Sequence, residues 1–266
     1  PACGSGGFLL HALDYMRNKA SEYYDKKTQE VDHFNYWHDF ASKHLYGIEI
    51  NDEIARVAKM NMIVHDDGHT NVISFDALDN VDKMTAHKQD FRKNKFDLVL
   101  TNPPFGSTIN LAEKPYLSGY ELGNTYDAKG RAKPRKNQSS EVLFIERIWE
   151  FLKPGTGKAA IVLPDGVLTN SSSQYVRDFI LEKFQLLAVV SLPQYAFAHF
   201  GAGVKASLLF VRKRKADEKP DDDEPIFMAA PELIGYDATG RKTESQFEEI
   251  IMQFKKFQED PNPFFV

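Results

Sequence analysis

Cysteine is almost absent from this sequence of 266 residues, and Cys3 is the only one. A single thiol cannot form an internal disulfide, so the sequence indicates a protein of a reducing compartment, and we expect the cytoplasm. Long apolar runs are also missing. No stretch approaches the roughly 20 apolar residues that are needed to cross a bilayer, so we expect no membrane association.

An excess of positive charge is missing too. The formal net charge is −5, with a pI of about 5.9. A nucleic acid would therefore have to meet a local basic surface, because the field of the whole chain does not attract it. The segment 106–140 carries a local excess of positive charge and shows little hydrophobic periodicity. We interpret it as an irregular, mobile loop suited to phosphate contacts. An ordinary solvated loop has much the same composition. Its cations are Lys114, Lys129, Arg131, Lys133, Arg135 and Lys136.

What the sequence does contain is an alternation of apolar runs typical of strands with amphipathic runs typical of helices. The predicted strands are 45–50, 72–78, 95–102, 158–164, 186–193 and 204–214. The predicted helices are 7–29 with further helix to about 43, 53–66 with a cap at Asn51 or Asp52, 141–152, 173–184 and 247–257. This order predicts an α/β protein with a mostly parallel, doubly wound sheet.

A glycine-rich turn, Gly4-Ser5-Gly6-Gly7, opens the first predicted helix. Glycines let the backbone approach a ligand, and the start of a helix presents unpaired N–H groups. A tight turn without a ligand explains the turn alone equally well, and the spacing is not that of a dinucleotide fingerprint. Such a turn follows the first strand of a fold, so we expect that strand upstream of Pro1.

Two acidic residues end the strands that follow the glycine turn. Glu49 can accept hydrogen bonds from the ribose hydroxyls of an adenosine cofactor, as carboxylates do at this place in doubly wound folds. Asp76 can accept a hydrogen bond from the adenine amino group, with Ala77 or Leu78 beside the ring. For Glu49 an ordinary surface carboxylate is the alternative, and for Asp76 it is a helix or turn cap.

The tetrapeptide Asn102-Pro103-Pro104-Phe105 directly follows the apolar strand 95–102. An aryl amine such as N6 of adenine is a poor nucleophile because its lone pair is delocalised into the ring. The side-chain oxygen of Asn102 and the carbonyl of Pro103 can hold its two hydrogens, and Phe105 offers a face for stacking. The tetrapeptide therefore predicts an active site for methylation of a planar amine.

A base within a duplex reaches such a pocket only after it is flipped out of the stack. Gripping it on both faces needs a second aromatic contact. Phe197, in the loop 194–203, is our candidate, and Phe200 is the alternative. A loop aromatic packed in a local core explains either residue as well.

Several motifs together resemble the modification subunit of type I restriction–modification enzymes, an N6-adenine DNA methylase family. They are PACGSGGFL, YGIEIND, FDAL, FDLVLTNPPFG, SSEVLFIERIWEFLKPGTGKAAIVLPDGVL and FAHFGAGVKASLLFVRK, in collinear order over residues 1 to about 213. The resemblance implies a Rossmann-like methyltransferase sheet with an antiparallel last strand. It implies S-adenosylmethionine as the cofactor, bound by Ala2 to Gly7, Glu49 and Asp76, and catalysis by Asn102 to Phe105.

The resemblance also implies partners and boundaries. The partners would be DNA, a specificity subunit that reads the sequence and a restriction nuclease subunit, in a hetero-oligomer. We expect a catalytic domain over 1–213, a charged linker over 214–225 and a C-terminal strand–turn–helix extension over 226–266. The sequence indicates no metal site. A methyltransferase of protein glutamine or RNA, and a structural subunit with a degenerate cofactor site, are the alternatives.

Overall fold

The computed structural model describes residues 1–65, 71–221 and 223–264. The chain forms two compact units, residues 1–89 and residues 90–266, and each is described by itself. The predicted end of the helix 53–66, at Asp66, lies outside the described residues. None of the described helices is long and apolar enough to cross a membrane.

The first unit pairs two short parallel strands and surrounds them with helices. Its elements are α1 (Gly7–Tyr23), α2 (Glu30–His44), β1 (Gly47–Glu49), α3 (Asp52–Val64), β2 (Val72–Ser74) and α4 (Val81–His87). In the ladder, Ile48 of β1 lies opposite Ile73 of β2. The cap of α3 is Asn51, because its side chain accepts hydrogen bonds from the N–H groups of Glu53 and Ile54 at 2.9 and 3.1 Å.

The predicted helix 7–29 is wrong at its end. Helix α1 ends at Tyr23, and the side chain of Asp25 then accepts hydrogen bonds from the N–H groups of Lys27 and Thr28. An aspartate that bonds its own downstream backbone stabilises a turn in competition with the helix. The expected further helix is confirmed as α2, whose Trp37 packs in one cluster with Leu13 and Ala20 of α1.

The second unit is built on a five-stranded sheet of order β11-β9-β10-β8-β3. The strands are β3 (Leu98–Thr101), β8 (Lys158–Pro164), β9 (Phe184–Ser191), β10 (Ala206–Lys213) and β11 (Phe227–Ala229). Four of them run in one direction. Strand β10 is antiparallel to both of its neighbours, as expected for the last strand of the core, so the sheet is mixed.

Helix α5 (Ser140–Phe151) is the most deeply buried element of this unit, since most of its residues on every side are buried. A helix that is buried all round lies inside a core rather than on its surface. It packs in one cluster with α7 (Gln174–Lys183) and the centre of the sheet, and the short α6 (Asp165–Thr169) follows β8. The segments that adjoin α5 therefore pack against a helix that is fixed inside the core.

The segment 106–140, expected as an irregular mobile loop, is instead ordered by two strand pairs. Strand β4 (Thr108–Asn110) pairs with β7 (Asn137–Ser139), and β5 (Asn124–Tyr126) pairs with β6 (Ala132–Pro134). The carboxylate of Glu146 on α5 accepts hydrogen bonds from the N–H groups of Glu121 and Leu122, at 2.8 and 2.9 Å. These contacts fix the base of the β5–β6 hairpin to α5.

The charged segment after β10 is tied back by ion pairs. Arg212 contacts Glu218, and Arg214 contacts Glu224. Beyond it follow β11, the antiparallel pair of β12 (Ile234–Tyr236) with β13 (Lys242–Ser245), and α8 (Phe247–Glu259). Phe257 of α8 packs against Phe227 of β11. The predicted boundaries at 213/214 and 225/226 stay predictions.

The Glu146 anchor predicts a specific dependence of stability on pH. Burial raises the pKa of Glu146 from 4.5 to about 7. The folded protein therefore binds more protons than the unfolded chain between these two values, and the free energy of unfolding should fall as pH rises from about 4.5 to 7. Urea unfolding of Glu146→Gln at several pH values should lack this component. The exposed Glu249→Gln should keep it, and an unchanged pH profile in Glu146→Gln would contradict the assignment.

Candidate active site

The glycine-rich turn is joined to the end of β1 by hydrogen bonds. The N–H of Cys3 donates to the carbonyl of Ile48 at 2.9 Å, and the N–H of Gly4 donates to Glu49 Oε2 at 3.0 Å. The other carboxylate oxygen, Glu49 Oε1, accepts from the N–H of Asn51 at 3.0 Å. One carboxylate thus holds together the glycine turn and the loop that leads into α3.

Two glycines permit this close approach. Gly4 has φ +55°, which L side chains rarely adopt, and no heavy atom lies within 4 Å of the position that its Cβ would take. Gly47 is restricted in the opposite way, because a Cβ there would lie 3.0 Å from both Cys3 Sγ and Leu9 Cδ1. The turn is therefore pressed against β1 on one side and open on the other, as a ligand-binding backbone requires.

The remaining residues of the turn lead into α1. Gly6 is buried and precedes the helix with φ +92°, whereas Ser5 and Gly7 are exposed. Asn61 of α3, which sequence reasoning missed, donates from Nδ2 to the carbonyl of Ser5 at 2.9 Å. Because the first N–H groups of a helix have no partner within it, the exposed start of α1 offers donors to an anionic or polar ligand.

Cys3 is not a nucleophile in this setting. Burial raises the pKa of its thiol from 9.0 to about 11. The thiol is therefore protonated at neutral pH, and the thiolate is the reactive form of cysteine. The position of Cys3 against Gly47 makes it a packing residue of the turn.

Asp76 closes a turn directly after β2. Its Oδ1 accepts a hydrogen bond from the N–H of Leu78 at 3.0 Å, which is the capping geometry of the alternative interpretation. Ala77 and Leu78 are buried. The N–H of Phe75 donates to the carbonyl of Glu49 at 3.0 Å, so the ends of β1 and β2 lie side by side. A contact of Asp76 or Ala77 with a cofactor stays a prediction.

The tetrapeptide begins where β3 ends, one residue after Thr101 pairs with Ile161 of β8. Asn102 is exposed, Pro103 is buried and Phe105 is half-buried. The carbonyl of Pro104 accepts a hydrogen bond from Ser140 Oγ at 3.0 Å. Within the part of the chain that the structure describes, no hydrogen bond engages the side chain of Asn102 or the carbonyl of Pro103. Two adjacent acceptors of the tetrapeptide therefore have no hydrogen bond among the described residues, whereas the Pro104 carbonyl has one.

The first turn of α5 holds the loop that follows the tetrapeptide. The N–H of Ser140 donates to the carbonyl of Ser107 at 2.8 Å, and Glu141 accepts a hydrogen bond from the N–H of Gly106. Burial raises the pKa of Glu141, and its Oε2 is buried without a hydrogen-bond partner among the described residues. Sequence reasoning missed both residues, although serine followed by glutamate at a helix start is a recognisable signal.

Phe197 lies beside Phe105, and its role as a second contact to a base stays a prediction. Their ring centroids are 6.3 Å apart and the ring planes meet at 84°, which is an edge-to-face contact. Phe197 also packs against the cluster of Leu192 and Ala196. Phe200, the alternative, is 70% exposed and contacts His199 rather than Phe105.

The predicted site residues thus form two groups, one in each unit. The glycine turn and Glu49 contact each other in the first unit, and the tetrapeptide and Phe197 lie together in the second. Among residues 1–65, 71–221 and 223–264, no group of three or more histidine, cysteine or acidic side chains could hold a metal ion.

Comparison with solved structures defines the class of fold. A protein of Listeria monocytogenes assigned to the class I S-adenosylmethionine-dependent methyltransferases superposes with a TM-score of 0.61 at 16% identity, covering 97% of this chain and 62% of that one. The type I restriction enzyme EcoKI M protein superposes with a TM-score of 0.61 at 22% identity, covering 96% of this chain and 48% of that one. The fold is that of the α/β methyltransferases with a mixed sheet.

Sequence comparison defines the family. The family model described as N-6 DNA Methylase matches residues 1–265, so the chain belongs to the N-6 DNA methylase family. It is 27% identical over 269 residues to the type I restriction enzyme EcoKI methylase subunit of Escherichia coli K12, covering 98% of this chain and 45% of that protein. The chain spans less than half the length of the curated relatives that it matches.

Glu49 can be tested without any ligand. In Glu49→Gln, one oxygen of the carboxylate becomes an NH₂ group that faces a backbone N–H instead of accepting from it. We expect the free energy of unfolding to fall by about 1.5–3 kcal/mol, the range for a hydrogen bond to a charged group. Chemical denaturation of the ligand-free protein measures this loss, with the exposed Glu53→Gln as the matched control. Equal stability of the two variants would remove Glu49 from its role in holding the turn.

Proposed function

We propose that this chain is the catalytic part of a DNA methyltransferase that transfers a methyl group from S-adenosylmethionine to N6 of adenine, within the modification subunit of a type I restriction–modification system. The observation that carries the proposal is the state of the tetrapeptide's acceptors. Within the described part of the chain, Asn102 Oδ1 and the Pro103 carbonyl accept no hydrogen bond, whereas the Pro104 carbonyl already accepts one from Ser140 Oγ at 3.0 Å. An exocyclic amine has two hydrogens to donate, and two adjacent open acceptors match them.

These acceptors supply what the reaction of an aryl amine needs. When Asn102 and Pro103 accept the two N–H groups, the nitrogen moves towards tetrahedral geometry and its lone pair leaves the ring. Positioning and fixed dipoles of this kind lower the barrier without a general base. The nitrogen becomes acidic once it is alkylated, so its proton passes to water. Helix α5 contributes by holding the loop rigid through Ser140 and Glu141.

The first unit fits an adenosine cofactor. Each oxygen of Glu49 accepts one backbone N–H and keeps a further lone pair for a ribose hydroxyl. Ala2, Gly4, Ser5, Gly6 and Gly7 would line the open side of the turn, and Asp76 and Ala77 would border the adenine ring. When bound, S-adenosylmethionine supplies a methyl group activated by its sulfonium.

The two aromatic side chains would grip a flipped adenine. A base lying flat against Phe105 replaces part of the edge-to-face contact with Phe197, which must then turn to cover the other face. Both rings are half-buried in the ligand-free protein. Stacking on an aromatic ring is tolerant of sequence, so these contacts hold the base, while Asn102 and Pro103 select its amino group.

The finer arrangement of the fold is part of the proposal. Strand β3 lies at an edge of the five-stranded sheet, with Leu98 57% and Leu100 38% exposed. Strands in parallel sheets are usually covered on both faces and paired. We infer that the first strand of the Rossmann-like sheet, from a segment before Pro1, pairs with β3.

The proposed partners follow from the relatives. Proteins similar to this chain are named methylase subunits of type I restriction enzymes, and one similar solved chain belongs to an assembled type I restriction–modification system. We infer a hetero-oligomer in which a specificity subunit reads the DNA sequence and a restriction subunit joins. The cytoplasm stays the predicted compartment, and it rests on the single cysteine.

One assay tests the function. The full-length protein is incubated with labelled S-adenosylmethionine and unmethylated DNA, with and without its specificity subunit, and the modified base is identified by mass spectrometry. We expect N6-methyladenine. Label in protein or RNA alone would favour the other methyltransferases, and cofactor binding without transfer would favour a structural subunit. Either result would overturn the proposal.

Asn102 should be required for transfer but not for cofactor binding. We expect Asn102→Ala to lower kcat by at least about 10²-fold, the effect of removing one preorganised polar group, with an unchanged Kd for S-adenosylmethionine. Calorimetry and single-turnover methylation separate the two quantities. Asn137→Ala, a change of an exposed asparagine on β7, is the control. A collapse of cofactor affinity in Asn102→Ala would make it a binding residue instead.

Phe197 and Phe200 should differ in their contribution to base binding. Loss of a stacking ring weakens binding by about 1–3 kcal/mol, so Phe197→Ala should reduce kcat/KM for DNA by the corresponding factor. Phe200→Ala should have a smaller effect, because Phe200 does not contact Phe105. Fluorescence of 2-aminopurine at the target position reports the stacking directly. A larger loss of kcat/KM in Phe200→Ala than in Phe197→Ala would make Phe200 the stacking residue instead.

A further inference from the structure

The β5–β6 hairpin stands in solvent although it is ordered. Every residue from 125 to 134 is exposed, and the strands are held to each other by pairs such as Thr125 with Lys133. A two-stranded hairpin is at best marginally stable in water on its own. Its order therefore depends on how it is closed at the tip and anchored at the base.

Some charged groups of the hairpin take part in contacts at its tip and at its base. Asp127 accepts hydrogen bonds from the N–H of Lys129 and the N–H of Arg131, and it forms an ion pair with the Arg131 guanidinium at 2.7 Å. At the base, the guanidinium of Arg135 lies 4.2 Å from the ring centroid of Tyr175 and donates to the carbonyl of Asn124. These groups close and attach the hairpin.

Three cations are left over. The side-chain ammonium groups of Lys129, Lys133 and Lys136 are exposed, and within the described part of the chain none of them has an ion pair or hydrogen bond. The only acid of the hairpin, Asp127, is already engaged. In a chain with a formal net charge of −5, these are three positive charges within eight residues that no described acid neutralises.

The anchor of the hairpin fixes its position relative to the tetrapeptide. Gln138 Nε2 donates to the carbonyl of Leu122 at 2.7 Å, and Glu146 on α5 accepts the N–H groups of Glu121 and Leu122. Ser140, at the start of the same helix, holds the Pro104 carbonyl. Ser140 and Glu146 are six residues apart, which is about 9 Å along a helix axis. One rigid helix therefore carries both the catalytic loop and the hairpin.

We propose that the β5–β6 hairpin and its link to β7 form a DNA-backbone contact, in which Lys129 and Lys133 of the hairpin and Lys136 of the link bind phosphates that flank the target adenine. The proposal rests on the proposed function for the choice of DNA. Phosphate contacts fix the register of a protein on a duplex without reading its sequence. A hairpin anchored to α5 would place the backbone so that the extruded base arrives at Asn102.

The test measures binding of the intact protein to a short mixed-sequence DNA duplex over a range of salt concentrations. The variant carries Lys129→Gln, Lys133→Gln and Lys136→Gln. Each lost phosphate contact lowers the slope of log K against log salt by about 0.9, so we expect a slope that is shallower by about 2–3 and an affinity lower by roughly tenfold or more at low salt.

The control changes the net charge equally at exposed lysines elsewhere in the same unit, by Lys219→Gln, Lys255→Gln and Lys256→Gln. It should keep the wild-type slope. Equal slopes for both triple variants, or a hairpin variant that binds like wild type, would overturn the proposal. So would a loss confined to an RNA duplex.

The methylation assay keeps this proposal separate from the proposed function. If the wild-type protein methylates adenine and the hairpin variant binds DNA as the wild type does, only the hairpin contact is refuted. If the wild-type protein binds DNA through the hairpin but labels no DNA base, only the proposed function is refuted.

Discussion

The hydrogen bond from Ser140 to the carbonyl of Pro104 is the interaction on which the position of the tetrapeptide depends, because it joins the loop after β3 to the first turn of α5. Two prolines leave this stretch without N–H groups at positions 103 and 104, so it cannot hold itself in place by its own backbone bonds. The first turn of α5 does so from outside, through Ser140 on the Pro104 carbonyl and Glu141 on the N–H of Gly106. Within the described part of the chain, the side chain of Asn102 and the carbonyl of Pro103 have no hydrogen bond.

In the first unit, too, a few polar side-chain contacts hold an irregular loop in place. There, one carboxylate takes backbone N–H groups from two distant segments, since Glu49 accepts from Gly4 and from Asn51. A charged acceptor makes stronger hydrogen bonds than a neutral one, which suits a turn whose glycines cost conformational entropy. In both units, side chains of a regular element fix an irregular loop: Glu49 of β1 holds the glycine turn, and Ser140 and Glu141 of α5 hold the tetrapeptide and the residue after it.

Much of this could be predicted from sequence, where the signal was local. The strand–helix order, the position of Asn102 after an apolar strand and a cap at Asn51 or Asp52 all follow from short patterns. The rest depends on contacts between distant residues. The pairing of Thr108 with Ser139 joins strands of three residues, too short for alternation to show, so the segment 106–140 looked irregular. Ser140 resembled an ordinary residue before a helix, because no local pattern predicts its hydrogen bond to the carbonyl of Pro104.

The most direct measurement is a structure of the intact protein with a DNA duplex that contains its target adenine. The account predicts that adenine N6 lies within hydrogen-bonding distance, about 2.7–3.2 Å, of both Asn102 Oδ1 and the Pro103 carbonyl, with the Pro104 carbonyl still bonded to Ser140. A complex in which N6 meets the Pro104 carbonyl, or reaches neither of the two open acceptors, would contradict it.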